Sequence, residues 1–209
     1  MSSARPEPGA ELHSGEATAP RRAATVILLR GGSERLEVLM VQRNPAARFM
    51  GGAWVFPGGS VDRSEGEGQA GLQAAAVREL HEEAGVRLPA EAELFPFARW
   101  ITPAQVKTRF DTWFYLAPAP EGTQPRVDGA EVVDFCWIAP ADALVAGESG
   151  RLFLVFPTVK QLQQLAGFGS ADELMGYARG REVQPIEPQV VGSGETARIV
   201  LPGEPGYGA

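Results

Sequence analysis

The sequence predicts an α/β fold, with helices laid on the faces of a sheet of mixed strand direction. Three observations predict it. Six short runs rich in Val, Leu, Ile, Phe and Trp read as strands, at residues 24–30, 36–43, 54–56, 95–101, 109–116 and 132–138. Residues 72–84 read as a helix, Ala-rich and with Leu72, Ala76 and Leu80 four apart on one face. Strands and helices do not alternate as a regular βαβ succession, so the sheet is not expected to be all parallel.

Each element follows from its local chemistry. Residues 1–21 combine Pro, Gly, Ser, Ala and Glu without apolar periodicity, and are expected to form a disordered tail. The strand at 24–30 runs into Gly31-Gly32-Ser33, a turn, and 36–43 is its neighbour, in a hairpin or side by side. Trp54-Val55-Phe56 is stopped by Pro57-Gly58-Gly59, since proline lacks a donor and glycines weaken a ladder. A loop at 60–71 precedes the helix, and Gly85 stands where a left-handed cap belongs. Pro140 opens a short helix to Val145, with further helices at 156–165 and 171–178. From Pro185 onward Pro and Gly dominate, with one strand at 197–201. No internal repeat is visible. The expected organisation is one domain over 22–184 and a partly irregular extension over 185–209. The extension is open to reading as a lid, a dimer arm or unordered chain, so a homodimer stays open too.

Composition excludes several classes. At 209 residues and 44% apolar, the chain can bury a core without disulfides or structural metal. Its lone cysteine, Cys136, cannot form an internal disulfide and is expected to be buried and inert. No apolar run reaches the ~18 residues of a membrane span. The N-terminus lacks the apolar core of a secretory signal, so a cytoplasmic protein is expected. A net charge of −7 argues against wrapping a nucleic-acid backbone. It does not forbid a small polyphosphate held by a divalent metal and local arginines. Lys107 and Lys160 are the only lysines; the other cations are arginines, whose forked donors suit phosphates.

The chemistry gathers on the helix. In Arg78-Glu79-Leu80-His81-Glu82-Glu83-Ala84-Gly85-Val86, Glu79, Glu82 and Glu83 fall within one arc of about 100°, beside the apolar face. Arg78 stands one turn before Glu82, close enough to orient it. Three carboxylates near the negative end of a helix dipole oppose the usual bias there. A hard divalent cation, which takes oxygen ligands, would relieve them; a solvated acidic face is the plainer alternative.

Gly59, five residues, Glu65, and then Arg-Glu-Leu-x-Glu-Glu-x-Gly-Val at 78–86 resembles the Nudix box. The second half fits at every defined position. Between Glu65 and Arg78 lie twelve residues where the family has seven, and Glu67 competes with Glu65 for the first glutamate. The resemblance implies a Nudix-type α/β/α sandwich and a hydrolase dependent on Mg²⁺ or Mn²⁺. It implies Glu79, Glu82 and Glu83 as metal ligands, the Gly59 carbonyl as a further one, and Arg78 as the group that orients them. Upstream, Arg43, Arg48, Gly52 and Phe56-Pro57-Gly58-Gly59 keep the spacing of the coenzyme A pyrophosphatase signature in this family, with Val41 and Asn44 in place of its usual Thr and Ser. Arg43 and Arg48 are thereby expected to bind substrate phosphates.

Other residues separate more readily. Gly66-Glu67-Gly68-Gln69-Ala70-Gly71 has the letters of a dinucleotide loop but follows no strand, and Glu67 would repel a pyrophosphate. His81 has no second His at zincin spacing and is expected at the surface or in packing. Glu131 is a metal-binding or base glutamate by resemblance, or else a strand-edge charge. Trp100, Arg109, Phe110 and Trp113 can line a base or pantetheine pocket, or belong to the core.

The expected reaction is attack of water on a substituted diphosphate, with Glu83 or Glu131 accepting the proton. The expected partner is a small nucleoside diphosphate derivative, coenzyme A or an acyl derivative, with no nucleic acid and no membrane. ADP-ribose or dinucleoside polyphosphates are the alternative substrates. A non-catalytic ligand sensor on the same fold is the alternative of another class, against which the intact Glu79, Glu82 and Glu83 argue.

Overall fold

The computed structural model describes residues 16–192 and 198–208. Residues 1–15 of the expected tail, and Ala197 of the last expected strand, lie outside the described residues. The elements are β1 (Arg21–Arg30), β2 (Glu37–Arg43), β3 (Trp54–Val55), β4 (Gly58–Ser60), α1 (Gly68–Ala84), β5 (Phe95–Ile101), β6 (Phe110–Pro118) and β7 (Val132–Ile138). After them come α2 (Pro140–Glu148), α3 (Phe156–Leu165), α4 (Ala171–Ala178), β8 (Pro185–Ile186), β9 (Gln189–Val191) and β10 (Arg198–Val200).

β1 is the spine. It pairs in parallel with β6 along its length, and antiparallel with β4 at its start and β2 at its end. The main sheet runs β3-β2-β1-β6-β5-β8, with β7 on β2 and β4 on β1. Its strand directions are mixed. Because side chains alternate across a strand, β1 feeds two cores at once. Ala24, Val26 and Leu28 face α1, meeting Leu72, Ala76 and Leu80. Ile27 and Leu29 face the other way, into the core that Leu162, Leu165 and Leu174 of α3 and α4 complete. The result is an α/β/α sandwich. No helix among the described residues is long and apolar enough to cross a membrane.

Three stretches differ from expectation. The strand interrupted at Pro57 resumes as β4, where Gly58 lies beside Thr25 so closely that a Cβ would strike its backbone. The loop at 60–71 contains a turn of 3₁₀ helix at Arg63–Glu65 and the first turn of α1. The Pro-rich end supplies β8, an edge strand parallel to β5, and the ribbon of β9 with β10. Proline is tolerated at such an edge because it opens the strand without needing to donate. Cys136 is half-buried against the core, and burial pushes its thiol up to about 11, so it stays protonated and unreactive.

Candidate active site

Gly85 ends α1 in the left-handed conformation, φ 64°, with its N–H donating to the His81 carbonyl. The apolar face of α1 is pressed on the sheet, so the adjoining acidic face lies against β4. There the paired glycines matter. The Gly58 N–H donates to Glu83 at 2.9 Å, and a Cβ on Gly59 would collide with the Glu79 carboxylate. A side chain at Gly59 would exclude the Glu79 carboxylate, whereas one at Gly58 would strike Thr25 and Ala24 of β1.

Arg78 gathers the rest. Its Nε donates to Glu65 at 2.9 Å and one terminal nitrogen donates to Glu79 at 2.9 Å and Glu82 at 2.8 Å. The other terminal nitrogen donates to the Ser60 carbonyl at 3.0 Å. Glu65, not Glu67, therefore meets the arginine. Glu67 is exposed at the start of α1. The twelve-residue spacing is absorbed locally: Glu65 accepts from the Asp62 N–H at 2.6 Å, and Arg22 donates to the carbonyls of Gly66 and Gly68.

The carboxylates feel opposite forces. Burial pushes Glu83 up to about 7, helped by the charges of Glu79 and Glu131 and opposed by the Gly58 N–H and Arg43. Burial also raises Glu79, with Glu82 and Glu131 adding to it and Arg78 opposing. Burial works upward on Glu65 too, but Arg78 and the Asp62 N–H hold it below its ordinary value. An all-oxygen set of desolvated, mutually repelling carboxylates fits a hard divalent cation. As arranged, no three acidic, His or Cys side chains among the described residues converge tightly enough to enclose an ion. Glu82, exposed and paired with Arg78, stands apart from the buried Glu83.

Glu79, Glu83, Glu131 and Arg43 open into a cavity of about 510 Å³ whose remaining walls are largely apolar, among them Trp100, Phe110 and Phe156. The Arg43 Nε is buried without a hydrogen-bond partner. Arg48 is exposed and is not among the lining residues. Gly52 closes the preceding turn at φ 78°, its N–H donating to the Arg43 carbonyl, and it does not line the cavity either. Arg109 is buried and committed to the Thr18 and Thr102 carbonyls and to Glu187. Trp113 alternates to the α1 face of β6, stacked on Tyr115, because Thr112 and Phe114 take the cavity side. His81 is exposed and accepts from Arg87. Sequence reasoning missed the Gly58 N–H and the linings from Phe49, Phe156, Val190 and Ile199. The glycine pair after Pro57 was the available signal for the first; the others depend on tertiary contact.

The model for the NUDIX domain matches residues 19–156, which spans the carboxylate helix, β4 and the cavity-lining strands β1, β2, β5 and β6. The chain belongs to the Nudix family. As a Nudix hydrolase it is 30% identical over 213 residues to a Caenorhabditis elegans protein named as nudix hydrolase 7, covering 85% of this chain and 70% of that one. It is 24% identical to the Homo sapiens acyl-coenzyme A diphosphatase NUDT19, over 90% of this chain and 80% of that one. Among solved structures, a NUDIX hydrolase from Alicyclobacillus acidocaldarius superposes with a TM-score of 0.68 at 27% identity, covering 76% of this chain and 96% of that one. This Nudix hydrolase thus carries its box with an enlarged loop, and the enlargement leaves the Glu65–Arg78 pair intact.

Proposed function

We propose that this Nudix hydrolase cleaves the diphosphate bond of coenzyme A or an acyl-coenzyme A, using Mg²⁺ or Mn²⁺. The observation that carries the reading is the union of a desolvated carboxylate site, Glu79 with Glu83, and a largely apolar chamber in one cavity. The likeness to NUDT19 and the Arg43–Arg48–Gly52 spacing support the same substrate class. Glu79, Glu82, Glu83 and the Gly59 carbonyl would hold the cation. When bound, it would neutralise the diphosphate and acidify a water.

The protein's own groups do the rest. Arg78 positions Glu79 and Glu82. Arg43, with its Nε unpartnered, offers donors to a phosphate oxygen. Glu83 or Glu131, both lining the cavity, would accept the proton of the attacking water. The water oxygen bonds to one phosphorus as the bridging oxygen leaves with the other phosphate. Coenzyme A would give adenosine 3′,5′-bisphosphate and a phosphopantetheine species.

The test is turnover of coenzyme A, acetyl-coenzyme A, ADP-ribose, NADH and diadenosine polyphosphates with Mg²⁺, Mn²⁺ or EDTA. Cleavage of the coenzyme A species alone, abolished by EDTA, is the expected result. Cleavage of another substrate discards the coenzyme A assignment, and metal binding without any cleavage favours a sensor.

A further inference from the structure

Hydrogen-bond register traces a path across the cavity floor: Ser60 of β4, Ala23 of β1, Thr112 of β6, Trp100 of β5, Ile186 of β8. Trp100 is three strand steps from the Ser60 end, roughly 14 Å at the spacing of neighbouring strands. The chain then turns directly from β8 into the ribbon of β9 and β10. Pro188, Val190 and Ile199 of this segment line the cavity, and Val190 and Ile199 are direct partners in the ribbon. The segment lies beyond residue 156, where the family match ends.

This wall is held in place. Glu187 accepts from Arg109 at 2.6 Å, its carbonyl accepts from the Tyr207 hydroxyl at 2.9 Å, and the Val190 N–H reaches Gln105 at 3.5 Å. The charged lining residues of the cavity, Arg43, Asp62, Glu79, Glu83 and Glu131, all belong to the carboxylate end. At the other end Trp100 meets Phe156 edge to face, with centroids 6.2 Å apart. The polar groups there are few: the Thr102 hydroxyl, which accepts from the Phe110 N–H and keeps its own hydrogen to donate, and the buried, unpartnered indole N–H of Trp100. A nucleobase needs polar groups to read its edges, whereas a hydrocarbon arm needs only area.

We propose that the β9–β10 ribbon is the wall that receives an apolar arm of the substrate and sets the length of arm accepted. The proposal rests on the diphosphatase reading of the carboxylate end. It makes Val190 and Ile199 specificity-determining residues contributed from outside the matched domain.

Calorimetric titration of the full chain in Mg²⁺ with ethyl, butyl, hexyl, octyl and decyl esters of methylenebisphosphonate, whose bridging carbon is not hydrolysed, tests it. Affinity should rise about three- to fourfold per added methylene until the ribbon is reached, and then level off. Ile199→Trp and Val190→Phe should each bring the levelling to a shorter chain, lowering the long-to-short affinity ratio about tenfold. Val190 is buried, so Ile199→Trp, at a partly open position, is the variant that keeps its fold if Val190→Phe does not. Affinity independent of chain length, or a levelling point unmoved in a folded Ile199→Trp protein, overturns the proposal. Failure to cleave coenzyme A leaves this binding series readable and counts against the coenzyme A assignment, and failure to cleave any diphosphate counts against the diphosphatase reading.

Discussion

Glu83 is placed where its charge is costly, almost fully buried and beside two other carboxylates. Its ordinary value of 4.5 becomes about 7 in the fold. Between those values the folded protein holds a proton that the unfolded chain has released, so stability falls as pH rises. The contribution is full below about 4.5 and lost through about 7, on the order of 3 kcal/mol. Thermal melts of the metal-free protein should therefore drop from pH 5 toward pH 8, and Mg²⁺ should recover most at the upper end. Glu83→Gln should flatten the metal-free profile and lower kcat by about 10²- to 10⁴-fold if Glu83 is the base. A variant with the wild-type slope would show that the penalty lies elsewhere. At this scale the sequence was legible in type more than in place. Periodicity put Glu79, Glu82 and Glu83 on one face, but it could not show Glu83 buried and Glu82 exposed. Nor could it choose Glu65 over Glu67, which depends on how the loop folds onto Arg78.

The elements show what that loop requires. Residues 68–70 open α1, and Gln69 accepts from the Tyr115 hydroxyl at 2.6 Å across the α1–β6 packing. Tyr115 is fully buried, so Gln69→Leu leaves its hydroxyl without a partner. That should cost about 1–3 kcal/mol, read as a lower urea midpoint at unchanged slope. β4 is sensitive for a different reason. Gly59→Ala should displace the Glu79 carboxylate with little loss of stability, weakening metal binding roughly 10- to 100-fold in a Mn²⁺ titration. Wild-type Mn²⁺ affinity in that variant would remove Glu79 from the ligand set. β1, β2 and β5 to β7 were readable because each is long enough to carry an apolar pattern. β4 and β8 are two or three residues long and exist through pairing with distant strands, which no local pattern encodes, while β9 has three residues and pairs with β10, next in the chain.

For the whole molecule, Arg109 joins three parts of the chain. It donates to Thr18 before β1, to Thr102 between β5 and β6, and to Glu187 between β8 and β9. Its side chain is 8% exposed, while that of Glu187 is 42% exposed. The sequence suggested Arg109 as part of a base or pantetheine pocket; its donors instead meet chain segments that lie far apart in sequence. Replacing it with Met keeps much of the apolar stem and removes all three connections, leaving two carbonyls and a carboxylate to water or to no partner. The sheet strands β1 and β6 hold each other by a nine-residue parallel register and do not depend on this arginine. The β9–β10 ribbon has three-residue strands and a few outside bonds, so it belongs to the low-stability end of the fold. Arg109→Met should therefore speed amide exchange in β9 and β10 by about tenfold or more while leaving β1 and β6 amides protected. Equal acceleration everywhere would mean that Arg109 supports the global fold, and no acceleration in the ribbon would mean that Gln105 and Tyr207 suffice to hold it.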